Sequence, residues 1–222
     1  RSQTVAVQKH TVSFEKLSIE TLDQWRKIPS AIAGDCMNRT NVMSGDMKPV
    51  GEGMTLCGQA RTVTTMVGDN GASHAAIGML EAGEILVIDA RAHKDTAVWG
   101  GIMTRAAMQQ NIAGLVVDGA VRDVDEIREL GFSTFATAIS PAGPSKGFGG
   151  VIDGIIACAM CPVKPGDVVL GDADGVTIVP LERQAKILAA CIEKIAQEEA
   201  TNADTKGGTL PGSRFGITIE EI

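Results

Sequence analysis

The chain contains no tyrosine, and aromatic residues are only 3% of its 222. With so few rings, the core must be built from Ala, Val, Ile, Leu and Met, a set that suits close packing of helices on sheets. No run of Lys and Arg exceeds two residues and the formal net charge is −7. That argues against a surface that tracks nucleic-acid phosphates and favours a protein or small-molecule partner. No stretch reaches the roughly 18 apolar residues that a membrane span requires. The opening Arg1-Ser2-Gln3 is polar and has no signal-peptide character, so a cytoplasmic protein is expected. The five cysteines, Cys36, Cys57, Cys158, Cys161 and Cys191, are odd in number and scattered, and reduced thiols are the default. Cys158 and Cys161 have the spacing of half a zinc site, but no second pair and no nearby histidine completes it. In an extended segment their side chains would point to opposite faces.

What is present is ordinary for a globular α/β chain: 44% hydrophobic and 21% charged residues, with 26 glycines and nine methionines. Ser18 and Glu20 followed by Leu22, Trp25 and Ile28 predict a capped helix, and Pro29-Ser30 restarts a second through Ile32 to Met37. Residues 38–52 are rich in Asn, Ser, Gly and Asp and read as a loop. Residues 58–67 alternate enough for a strand with one wet face. A turn at 68–73 leads into a helix over 73–81 with His74 in its first turn, where a local hydrogen-bonding role is the simpler reading. Ile85 to Ile88, ending at Asp89, reads as a fully buried strand, residues 102–111 as an amphipathic helix, and Leu115 to Val117 as a second buried strand. The loop 141–150 is long and glycine-rich enough to form a rim or lid. Asp172-Ala173-Asp174-Gly175 reads as a tight hairpin, because the other ligands of an EF-hand loop are missing. A long helix runs from Leu181 to about Thr201, and the tail to Ile222 cannot form a core alone.

Two places carry chemistry. Gly100, Gly101, Ile102 and Met103 lie at a predicted helix N-terminus, where backbone amides and the helix dipole together favour a carboxylate or phosphate. The two glycines permit close approach of a ligand, although adjacent glycines also mark a simple turn. Directly after the buried strand at 115–117 come Arg122, Asp123 and Glu126. A helix starting near Arg122 would put all three on one face, with the arginine opposing the dipole and so placed for a ligand. An ordinary Arg122 to Glu126 surface pair with Asp123 as a cap accounts for the same residues. The position at the end of a buried strand, where open α/β sheets hold their ligands, favours the first account.

Gly101, twenty intervening residues, Arg122-Asp123, two residues and Glu126, set within Val117-Asp118-Gly119-Ala120-Val121-Arg122-Asp123-Val124, resemble the signature of the RraA-like family. That family includes the ribonuclease E activity regulator and the class II pyruvate aldolases acting on 4-hydroxy-4-methyl-2-oxoglutarate and 4-carboxy-4-hydroxy-2-oxoadipate. The similarity runs from about Ile32 to about Pro180, through Ala97-Val98-Trp99-Gly100-Gly101 and the segment Pro165 to Val176.

The resemblance implies a single α/β domain over residues 1–222 with a compact β core of β/β/α swivelling type flanked by helices. It also implies a homo-oligomer, trimer or hexamer, with the N-terminal helices 14–37 and the segment 181–222 in its contacts and Glu198 or Glu199 near a neighbour's site. It further implies a divalent cation, Mg²⁺, Mn²⁺ or a similar ion, on Asp123, and a 2-oxo acid substrate. The substrate's carboxylate would meet the amides from Gly100 to Met103, and Arg122 would support its keto oxygen. The expected reaction is retro-aldol cleavage to pyruvate in aromatic-compound catabolism, with oxaloacetate decarboxylation through the same enolate. Well-known aldolases of the family carry Asp where this chain has Gly101; here Glu126 matches the alternative arrangement. Lys94, Lys146 and Arg61 remain unranked as partners of a second carboxylate. The rival expectation is a non-catalytic regulator binding a ribonuclease or helicase. A methyltransferase, a name attached to some relatives, finds no Gly-rich nucleotide loop after the first strand.

Overall fold

A computed structural model describes residues 6–222. In chain order the elements are β1 (Gln8–Lys9), α1 (Ile19–Trp25), α2 (Ser30–Cys36), β2 (Lys48–Pro49), β3 (Leu56–Thr65), α3 (Gly71–Ile77), β4 (Ile85–Trp99), α4 (Gly101–Gln109), β5 (Gly114–Val121) and α5 (Val124–Leu130). There follow β6 (Thr134–Ile139), β7 (Gly150–Ile152), β8 (Ile156–Cys158), β9 (Cys161–Val163), β10 (Val168–Asp172), β11 (Gly175–Val179), α6 (Gln184–Lys206) and α7 (Pro211–Arg214).

Strands β3, β4, β5 and β6 lie side by side in chain order, all parallel, each joined to the next by a helix. The intervening helices α3, α4 and α5 touch in sequence and so cover one face. Antiparallel β7 borders β3, and β2 closes the far edge against β6. The ten-residue β3 serves three partners, with Val63 to Thr65 paired to β7. Leu56 to Gln59 pair with β10, and Ala60 to Thr64 pair with β4. Through β10 the antiparallel β10–β11 ribbon packs across the second face.

Burial follows this layering. One apolar cluster joins the parallel strands to α3, α4, β8 and β9, through Ile85, Leu86, Val87, Ile88, Leu115, Val116, Val117 and Phe135. A second joins α1, α2 and α6 to the outer side of β10–β11 through Trp25, Ile32, Val168, Leu170, Ile187 and Leu188. Strands covered on both sides should be continuously apolar, and β5 is buried at every position.

Several expectations shift. Ser18 caps α1, accepting from the Thr21 amide as its sequence predicts. Residues 58–65 have no wet face, because both sides of β3 are covered, and Met66 and Val67 lie exposed beyond the end of the strand. Helix α3 begins at Gly71 and ends at Ile77, four residues before Glu81. Strand β4 does not stop at Asp89: Arg91 and Ala92 take positive φ, the register slips, and pairing resumes with His93 opposite Gly119 and continues to Trp99 opposite Val121. Cys158 and Cys161 face one another across the β8–β9 hairpin, because Ala159 and Met160 form a tight positive-φ turn between them. They therefore share a face, contrary to the extended-segment expectation, and both are buried free thiols. The Asp172–Gly175 hairpin forms, with Asp172 occupied by the Ser30 amide and hydroxyl and by the Asp174 amide. The Leu181 helix opens as a 3₁₀ turn and then runs as α6 to Lys206. Among the described residues no helix is long and apolar enough to cross a membrane.

Candidate functional site

The register at the end of the sheet builds the site. Trp99 on β4 stands opposite Val121 on β5, so the residues that follow each strand come together: Gly100-Gly101 on one side, Arg122-Asp123 on the other. The Arg122 amide donates to the Trp99 carbonyl over 3.0 Å, and the Gly101 amide donates to Asp123 Oδ2 over 2.9 Å. Trp99 itself is locked by its indole N–H to Thr104 Oγ1 at 2.9 Å.

Arg122 does not lie in a helix. Asp123 adopts a left-handed conformation, φ 56° and ψ 38°, and α5 begins only at Val124. A non-glycine residue held there carries backbone strain, which Asp tolerates better than most. Asp123 sits at the N-cap position of α5 but makes no cap hydrogen bond with its side chain. The strained turn swings that carboxylate away from α5 and toward α4, which the predicted helix would not have done. The expected i,i+4 pair is absent as well. Glu126 accepts from Arg105 Nε at 2.9 Å, and among the described residues Arg122 pairs only with Asp123, its Nε 3.6 Å from Oδ2.

At two of these positions any side chain would displace a neighbouring carboxylate. A Cβ on Gly101 would overlap the Glu126 carboxylate, with Oε1 at 2.6 Å, and a Cβ on Gly100 would stand 2.6 Å from Asp123 Oδ2. At the start of α4 the amides of Gly101, Ile102 and Met103 precede the first intrahelical bond, Thr104 to Gly100. Asp123 takes the first. The amides of Ile102 and Met103 have no acceptor among the described residues.

Gly100, Ile102, Met103, Arg122 and Asp123 line a cavity of about 230 Å³ together with Asn70, His74, Trp99, Pro144 and Lys146, while Glu126 lies outside its lining, in an adjoining cleft with Arg122, Asp123 and Pro141. The loop carrying Pro144 and Lys146 is pinned from below. Fully buried Asp69 accepts from Ser145 Oγ (2.8 Å), the Gly147 amide (2.9 Å), the Phe148 amide (3.2 Å) and the Gly71 amide (2.9 Å). Burial alone would raise its pKa, but these four hydrogen bonds outweigh it and hold the carboxyl below its usual range. His74 is held below the usual imidazole value by burial and by the charge of Lys146.

Of the three cations left unranked, the structure brings only Lys146 to the cavity. Lys94 pairs with Asp46 at 2.6 Å. Arg61 is buried in an ion cluster, bidentate to Asp153 at 2.7 and 2.6 Å and bonded to Glu84 at 3.1 Å. Asn70 and His74 were not selected as site residues from sequence. Their only signal was the turn at 68–73, which reads as mere punctuation until β4 folds back over it.

A divalent cation would find a single suitable carboxylate. No cluster of three acidic, cysteine or histidine side chains exists among the described residues. Asp123, half exposed at the cavity wall, keeps Oδ1 without a partner among the described residues. One carboxylate and otherwise water is a shell that Mg²⁺ accepts, and the space left open at Gly101 is occupied by the second carboxylate, Glu126. The donor set fits.

Comparison with known proteins finds relatives over most of the chain. The RraA-like family model, described as Aldolase/RraA, matches residues 23–178. A Halalkalibacterium halodurans protein provisionally named 4-hydroxy-4-methyl-2-oxoglutarate aldolase is 35% identical over 187 residues, covering 84% of this chain and 89% of its own. A Thermus thermophilus protein named 4-hydroxy-4-methyl-2-oxoglutarate aldolase is 31% identical, covering 64% of this chain and 92% of its own. The crystal structure of Streptomyces coelicolor RraAS2, described as an unusual member of the RNase ES inhibitor RraA family, superposes with a TM-score of 0.78. It is 26% identical and the match covers 84% of this chain and 98% of that one.

Proposed function

The chain belongs to the RraA-like family, and from that premise we propose that it is a divalent-metal-dependent class II aldolase. It cleaves a 4-hydroxy-2-oxo acid, such as 4-hydroxy-4-methyl-2-oxoglutarate or 4-carboxy-4-hydroxy-2-oxoadipate, to pyruvate and a second 2-oxo acid, and decarboxylates oxaloacetate as a side reaction. The observation that carries this reading is the convergence in one small cavity of two helix amides and a Lys146 ammonium that have no partner among the described residues, the Arg122 guanidinium with its Nε 3.6 Å from Asp123, and the Asp123 carboxylate.

In this reading the amides of Ile102 and Met103 hold the C1 carboxylate at the positive end of α4. Asp123 holds the cation, which when bound supplies Lewis-acid polarisation of the keto group. The Arg122 guanidinium donates to the keto oxygen as negative charge gathers there, a preorganised contact stronger in the transition state than before it. Lys146 faces the second carboxylate. Glu126 accepts the 4-hydroxyl proton through water as the C3–C4 bond breaks; its electrons pass into the enolate, and a proton returned to C3 yields pyruvate. We assign the working form to a trimer or hexamer, with the exposed Glu198 or Glu199 of α6 near a neighbouring site, which light scattering of the E198A/E199A variant, with its kcat, would test.

The test of function is pyruvate formation from oxaloacetate and from 4-hydroxy-4-methyl-2-oxoglutarate, with Mg²⁺ and with chelator, in wild type and Asp123→Ala. Turnover that needs the metal and is lost in the variant supports the aldolase. The likeness to RraAS2 supports a second reading, a regulator that binds a ribonuclease or helicase. No turnover from a folded protein, with capture of such a partner, would favour it.

A further inference from the structure

Neither backbone conformation nor packing of the fold asks for glycine at position 143. Its φ lies outside the left-handed region, and a residue that precedes proline, here Pro144, is held to extended backbone that alanine adopts readily. The residue is exposed in the loop between β6 and β7. A Cβ built there would have, among the described residues beyond its chain neighbours, one residue within 4 Å: Arg122, with Nη1 at 2.7 Å and Cζ at 3.7 Å. Non-bonded carbon contacts are comfortable only at about 3.5 to 4.0 Å, so a methyl group at 143 would force the guanidinium to move.

A second glycine borders the same side chain. A Cβ on Gly100 would stand 3.1 Å from Arg122 Cγ and 3.3 Å from its Nε. The stem of the arginine thus passes beside Gly100 and its tip rests against Gly143. No close bond fixes that tip, because its ionic partner among the described residues is Asp123 at 3.6 Å. The loop surface is fixed instead. The Ala97 amide donates to the Ala142 carbonyl at 2.9 Å, Ser140 Oγ to the Asp95 carbonyl at 2.8 Å, and the Ser145 amide to the Gly68 carbonyl at 2.8 Å. The resumed half of β4, which carries Asp95 and Ala97, therefore holds the wall on which the guanidinium lies.

We propose that Gly143 is a positioning residue for Arg122: on a loop tied to β4, its missing side chain leaves the room in which the guanidinium is held at the cavity wall. The inference rests on the aldolase reading, in which Arg122 supports the keto oxygen as negative charge gathers there. Gly143 touches no reacting atom and acts through the arginine. A contact that strengthens in the transition state governs kcat more than KM, and a misplacement of about 1 Å can cost on the order of a hundredfold.

The experiment places the same methyl group at two glycines of one loop. Gly143→Ala sets it against Arg122, whereas Gly147→Ala sets it where nothing among the described residues lies within 4 Å, again without a positive φ. Pyruvate formation from oxaloacetate and from 4-hydroxy-4-methyl-2-oxoglutarate, with Mg²⁺, and urea unfolding are measured for wild type and both variants. Gly143→Ala should lower kcat about tenfold or more on both substrates, which share the enolate, with KM within about threefold and the unfolding midpoint unchanged. Gly147→Ala should leave all of these unchanged. In an Arg122→Lys background, which lacks the Nη1 atom that meets residue 143, Gly143→Ala should alter kcat by no more than about twofold.

A kcat within about twofold of wild type in Gly143→Ala overturns the proposal and leaves the aldolase standing. So does an equal loss in Gly147→Ala, a loss that persists in full beside Arg122→Lys, or a fall in the unfolding midpoint with kcat per folded molecule intact. Absence of pyruvate from either substrate in the wild type overturns the aldolase reading and this inference with it.

Discussion

The carboxylate of Glu126 lies where a side chain on residue 101 would have to go: a Cβ on Gly101 would meet its Oε1 at 2.6 Å. Twenty-five positions apart in the chain, the two residues share one volume, and only one of them can fill it. Glu126 reaches there from the first turn of α5, steadied by Arg105 at 2.9 Å.

A carboxylate at residue 101 and one at 126 should therefore exclude each other. Gly101→Asp alone sets two negative groups in one space and should lower the kcat of pyruvate formation about tenfold or more, at a cost of about 1 to 3 kcal/mol in stability from overpacking. Gly101→Asp combined with Glu126→Ala should recover most of both. Steady-state kinetics and urea unfolding of the four proteins check this, and strictly additive losses would contradict it.

Arg61 should prove structural. Arg61→Met takes from buried Asp153 its bidentate partner and from buried Glu84 one of its two cations, leaving only the half-exposed Lys9 beside the first and Lys16 beside the second, and breaking a buried pair typically costs about 3 to 5 kcal/mol. Denaturant unfolding should show that loss, while the KM of the folded enzyme for its substrate stays within about twofold. A large rise in KM would return Arg61 to the list of substrate contacts.

His74 should report on Lys146. Because burial and the lysine charge lower its pKa, the imidazole is neutral at pH 7 and its titration midpoint falls below the usual value of about 6.5. The unfolded chain then binds more protons than the folded one between the two values, so stability declines as pH falls through that window. Lys146→Met should raise the His74 midpoint in an NMR titration. An unmoved midpoint would mean the two side chains do not sense each other.

Asp69 should keep the 145–148 loop closed into mild acid. Its folded pKa lies below the usual carboxylate value of about 3.9, so its stabilisation is present above that value and is lost as pH falls through the lowered folded pKa. Hydrogen exchange of the Gly147 and Phe148 amides should remain slow at about pH 5. Asp69→Asn, which cannot accept the same bonds without placing a donor among donors, should speed that exchange, cost about 1 to 3 kcal/mol, and raise KM by loosening Lys146.

Much of the scaffold was decided locally. Leu115 to Val117 and Ile85 to Ile88 are short β-branched apolar runs that read as doubly buried strands and form them, Ser18 supplies the oxygen that starts α1, and Asp172 to Gly175 supplies a hairpin turn. Each signal lies within a few residues, where backbone preference and periodicity act, and the motif around Arg122 is compact enough to reveal the family. The site itself was decided at long range. The polar segment from Arg91 to Thr96 hides the fact that β4 resumes, and it is the resumed pairing of Trp99 with Val121 that sets Gly101 against Asp123. The left-handed turn at Asp123, the choice of Lys146 over Arg61 and Lys94, and the room for Arg122 beside Gly143 all depend on which distant groups arrive beside them. Propensity is set by neighbours along the chain, whereas register, burial and unmet hydrogen bonds are set by neighbours in space, and only the packed sheet specifies those.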